Sequence, residues 1–99
     1  MNVNIMENIN VLYVRCYENV RILLAINPNT DDETAINTIA KIIKEHEMLS
    51  VNEQEYYEES GLVEDDFLVM ARDIWFYNNE NYIDIWENNY GIAKNVNIL

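Results

Sequence analysis

Residues 52–66 read NEQEYYEESGLVEDD and hold seven carboxylates, Glu53, Glu55, Glu58, Glu59, Glu64, Asp65 and Asp66, with no lysine or arginine among them. Carboxylates in such numbers can hydrolyse glycosides, bind calcium or recognise a basic surface. The first needs a substrate cleft, for which 99 residues leave little room, and any acid-rich sequence contains paired acids by chance. Calcium needs closely spaced oxygen ligands around a tight turn. The run Asn78-Asn79-Glu80-Asn81, followed by Asp84 and Glu87, has the oxygens but lacks the loop glycine of an EF-hand. Zinc takes cysteine and histidine, and Cys16 and His46 are the sole examples of each. Phosphate-binding loops need patterned glycines, and Gly61 and Gly91 form no pattern. No catalytic residue, cofactor or metal is therefore expected, and the chain reads as a binding protein rather than an enzyme. Recognition of a basic partner is the chemistry left.

Charge placement supports that reading. The net charge is −12, yet residues 1–44 carry −1 and residues 88–99 carry +1. All of the excess falls in residues 45–87, where thirteen acids face the single base Arg72. Acidic residues favour solubility. Codon bias toward AT-rich triplets would explain the 16 Asn and 13 Ile, but it enriches Lys equally, and Lys occurs three times. Affinity for nucleic-acid phosphate comes from Lys and Arg, so direct binding of DNA or RNA is excluded as an expectation.

The elements that must carry these acids follow from periodicity. Residues 9–16 and 20–26 are rich in β-branched and aromatic residues and predict an antiparallel hairpin, with Val20, Ile22, Leu24 and Ile26 forming one hydrocarbon face toward the core. Thr30 with Glu33 makes a capping box for a helix over 31–48, whose buried stripe is Ala35, Ile36, Ile39, Ala40, Ile42 and Ile43. His46 falls near its end, in a cap or surface position. Ser50 with Glu53 and the stop at Gly61 bound a short helix over 51–60, on which Glu55, Glu58 and Glu59 share one side. A third helix follows, with Val63, Phe67, Met70, Ala71, Ile74 and Tyr77 inward and Glu64, Asp65 and Asp66 in its first turn, where they favour the helix dipole. Residues 82–87 and 92–98, around a turn at Asn88 to Gly91, read as a second hairpin. The expectation is one α+β domain over 1–99, in the order ββαααββ, with a four-stranded, mainly antiparallel sheet of two hairpins packed with two to three helices.

In length, in the acidic segment and in its Asn- and Ile-rich composition, the chain resembles the small acidic inhibitors encoded by phages and mobile elements, anti-CRISPR and anti-restriction proteins among them. Many of these imitate nucleic acid, so the resemblance implies a protein that occupies the positively charged nucleic-acid channel of a nuclease or ribonucleoprotein effector, a CRISPR nuclease first. Acids and interspersed aromatics form the expected contact set: Glu53, Glu55, Tyr56, Glu58, Glu59, Glu64, Asp65, Asp66, Asp84, Trp86, Glu87 and Tyr90. Two other classes fit: an immunity protein covering a nuclease toxin, and a structural or assembly protein self-associating through Trp75, Phe76 and Tyr77. The longest uncharged apolar run, Ile22 to Ile26, is too short for a membrane span and the N-terminus is unlike a signal peptide, so a bacterial cytoplasmic setting is expected.

Overall fold

A computed structural model of the chain describes residues 7–77, 82 and 83, and 88–98. Strands β1 (Glu7–Cys16) and β2 (Asn19–Ile26) form the first hairpin as expected, around a two-residue turn in which Tyr17 takes a left-handed φ of 58°. Strand β3 (Asn88–Ile98) then pairs antiparallel with the opposite edge of β1, giving the order β2-β1-β3. The four-stranded sheet of two hairpins is thereby corrected. Three strands make one antiparallel sheet and the full-length elements run ββαααβ. Of the expected strand 82–87, Tyr82 and Ile83 pair against Tyr90 and Asn89 at the outer edge of β3, and 84–87 lie outside the described residues. Asn88 to Gly91, expected as a turn, is extended strand facing Cys16, Arg15, Val14 and Tyr13. Alternation of side chains says which faces a strand has, and nothing about which neighbour it pairs with.

Two bulges set which side chains face which way. Leu12 pairs with Leu24 but Tyr13 pairs with Ile22, so Leu23 is an extra residue in β2. One extra residue reverses the alternation beyond it. Leu24 and Ile26 therefore join Leu12 on the helix-covered side, whereas Ile22 and Val20 turn to the opposite face beside Tyr13 and Arg15 and are 66% and 57% exposed. The single hydrocarbon face expected for β2 is split in two. In β3, Ile9 pairs with Val96 and Val11 with Ala93, which leaves Lys94 and Asn95 opposite Asn10. Asn95 adopts φ 58°, a conformation Asn tolerates better than most residues, and its N–H donates to Asn10 Oδ1 at 3.2 Å. That bond explains why an asparagine is buried at position 10.

Three helices cover one face of the sheet. In α1 (Asp32–Glu47) the N-cap is Asp31, one residue beyond the Thr30 expected, and its carboxylate accepts from both the N–H and the hydroxyl of Thr34 at 3.0 Å. The stripe Ala35, Ile36, Ile39, Ala40 and Ile43 is buried as expected. In α2 (Glu53–Ser60) the N-cap is Asn52 rather than Ser50, accepting from Glu55 N–H at 2.7 Å, and Gly61 closes the helix at φ 72°, where a side chain would be strained. α3 (Glu64–Tyr77) buries Phe67, Met70, Ala71, Ile74 and Trp75, while Val63 and Tyr77, expected inward, are exposed. Leu12, Val14, Tyr90 and Ile92 of the sheet meet these stripes and Tyr56 of α2 in one core. Each large apolar side chain so buried contributes roughly 1.5 to 3 kcal/mol. Among the described residues no helix is long and apolar enough to cross a membrane.

Two outcomes follow. Ile39 and Ile43 are wholly inaccessible to solvent, so Ile39→Asp or Ile43→Asp places an unpaired charge in the core and should abolish cooperative unfolding as followed by circular dichroism. The backbone and hydroxyl hydrogen bonds from Thr34 hold the Asp31 carboxyl below the usual aspartate value. A lowered folded-state value stabilises above the unfolded value and loses that contribution as pH falls through the folded one. Asp31→Asn keeps the cap acceptor without a titrating group, so its melting temperature should fall less steeply with acidification than the parent's.

Candidate functional site

Formal charge separates by layer. Counting Asp, Glu, Lys and Arg within each element, α1 carries −2, α2 −4 and α3 −3, whereas β1 is neutral and β2 and β3 each carry +1. The helical layer is the anionic side of the molecule.

Within that layer the seven acids of residues 52–66 have different employment. Lys44, in the last turn of α1, meets Glu53 of α2 at 3.0 Å and Glu64 of α3 at 3.1 Å. Hydrogen bonds to Glu53 and then Glu64 hold its ammonium far above the ordinary lysine value. One cation thus gathers the N-termini of two helices at the C-terminus of a third, each partly exposed pair adding about 0.2 to 1 kcal/mol. Asp66 reaches back to accept from Val63 N–H at 2.7 Å, a capping-box bond at the start of α3. Glu58 accepts from Gln54 Nε2 at 3.1 Å, along the helix surface. Glu55, Glu59 and Asp65 are exposed, and among the described residues no cation pairs with them or with Glu58. Glu55 lies about one helical turn from both Glu58 and Glu59, roughly 4.5 and 6 Å along the axis, so the three exposed carboxylates share one side of α2, beside buried Tyr56. They form a ridge of three carboxylates.

The expected aromatic anchors are corrected. Tyr56 is fully buried, its ring lying against Tyr57 and Phe67, and Tyr90 is fully buried beneath the end of α1, so neither presents a ring to a partner. Asp84, Trp86 and Glu87 lie outside the described residues, as does the run Asn78 to Asn81. Trp75, expected at a self-association surface, is buried and donates from Nε1 to Asp32 Oδ1 at 2.8 Å, with Lys94 above its ring. Phe76 and Tyr77 beside it are exposed.

One cluster escaped the sequence reading. Glu47 is buried, and its Oε2 accepts from the Tyr90 hydroxyl in a short hydrogen bond and from Asn88 Nδ2 at 3.2 Å. His46 Nδ1 lies 2.9 Å from the same hydroxyl. With the hydroxyl proton given to the carboxylate, the tyrosine oxygen is left to accept from His46 Nδ1–H. His46, expected as a cap or surface residue, is instead part-buried and locks α1 to β3. The available signal was Glu47 itself, an acid placed where the stripe Ile36, Ala40, Ile43 next returns to the core. The cluster lies beside Leu49, Ser50 and Val51, and among the described residues no three His, Cys, Asp or Glu side chains gather as a metal site. Tyr90→Phe removes a donor from a buried carboxylate and should lower stability by about 1 to 3 kcal/mol in urea unfolding, with the slope unchanged.

No protein-family model, no curated protein and no solved structure matches this chain.

Proposed function

We propose that the protein is an acidic inhibitor that binds the positively charged nucleic-acid channel of a nuclease or ribonucleoprotein effector, a CRISPR nuclease being the first target to try. The carrying observation is the ridge of Glu55, Glu58 and Glu59, which keeps three uncompensated carboxylates on one side of an eight-residue helix. Like charges one turn apart weaken a helix by about 0.2 to 0.5 kcal/mol per pair, a cost set against only the first-turn position of Glu55 and the Gln54 hydrogen bond to Glu58. A basic channel would supply the missing counter-charge and steer the encounter from a distance. Glu53, Glu64 and Asp66 hold the ridge in place through Lys44 and the α3 cap, which makes them supports of the surface more than its contacts.

Effectors carrying a labelled duplex provide the test, with the protein added as competitor. The parent should displace the duplex from its target and should not itself shift duplex DNA in a gel at physiological salt. Converting Glu55, Glu58 and Glu59 together to Gln should leave the melting temperature unchanged or raise it slightly, while binding weakens by about 1 to 3 kcal/mol, most at low salt. A variant that competes as well as the parent at every salt concentration would sink the reading, as would a clear gel shift by the protein alone.

A further inference from the structure

We infer that the sheet face turned away from the helices is the contact surface of a homodimer, in which two sheets pack face to face and both helical layers point outward. An antiparallel sheet covered on one side ordinarily presents polar residues on the other. Here that side is a groove of about 380 Å³ with Val11, Tyr13 and Ala93 as its floor, and with Val20 and Ile22 on one rim and Val96 on the other. Arg15 at its end is the sole charge among the lining residues.

Three observations favour a second copy as the occupant. Charge is the first: copies of a chain with net charge −12 repel one another, and no carboxylate lines this groove. It is where two copies approach with least repulsion. Shape is the second, since the exposed Val20 and Ile22 of one copy form a ridge and the recessed floor of the other forms its complement, as a two-fold contact requires. The third is the edge of the sheet. The extra residue Leu23 interrupts the outer edge of β2, and bulges of this kind oppose strand addition there, which favours the face beside it over that edge. Three strands at about 4.8 Å and five residues at about 3.4 Å give a footprint of roughly 15 by 17 Å, small for a stable dimer, so the association is weak, with a Kd in the micromolar range or above. This inference is independent of the proposed function.

Light scattering and sedimentation of the full chain from about 1 to 500 μM test it. The mass should rise with concentration toward twice that of the chain, and the dimer should strengthen between about 50 and 500 mM NaCl as repulsion is screened. Ile22→Lys and, separately, Val96→Lys should raise the dimer Kd by about tenfold or more, with circular dichroism and melting temperature preserved because both side chains are exposed. Val20→Lys serves as the rim variant if either of these fails to fold. A chain monomeric throughout overturns the proposal and leaves the groove to another occupant. Dimers that survive in the folded variants place the contact elsewhere. Association that weakens as salt rises identifies a head-to-tail contact of acidic helices with basic strands, and also overturns it.

Discussion

Everything in this molecule is arranged around β1, a strand that must satisfy a ladder on each edge while its side chains are buried on each face. Val11, Leu12, Tyr13 and Val14 are four consecutive buried residues, although only one side of the sheet has helices on it. Interior strands of this kind cannot tolerate register error, because a slip by one residue exchanges the faces. The neighbours absorb the irregularity instead. β2 carries its extra residue at Leu23 and β3 at Lys94 and Asn95, so β1 itself runs without interruption from Glu7 to Cys16.

Against this sheet the acidic helices would tend to separate, and two devices oppose that tendency at the two ends of the same turn of α1. Lys44 holds α2 and α3 from outside, and His46 with Glu47 holds β3 from inside. The first works in partly exposed surroundings and is modest; the second is buried, where an imperfectly satisfied carboxylate is expensive. The exposed charge of α2 is consequently displayed on a helix whose position is determined by contacts on its other sides, Tyr56 in the core and Glu53 at Lys44.

The helices were legible because a period of 3.6 residues and a cap leave separate marks. Ile36, Ile39 and Ile43 marked the buried side of α1, and Gly61 marked the end of α2. The caps shifted by one or two residues because adjacent side chains were chemically equivalent: Asp31 competes with Thr30, and Asn52 with Ser50. Outward placement of Glu55, Glu58 and Glu59 was legible from spacing alone. The sheet was harder, since alternation does not say which neighbour a strand takes, and a bulge such as Leu23 leaves no trace in composition. Tyr90 read as a surface ring because its partner Glu47 lies 43 residues earlier, a separation that local patterns do not reach.

The Leu23 bulge also makes the outer chemistry of the sheet a matter of parity. Deleting Leu23 would leave Leu24 opposite Leu12 and Ile22 opposite Tyr13 in unbroken alternation, with Val20 and Ile22 still outward; keeping Leu23 but drawing it into regular pairing would turn Val20 and Ile22 inward and Arg21 outward. The hydrocarbon surface therefore depends on one residue being left out of the ladder, and a strand of the same composition and length without the bulge would present a cationic surface in its place.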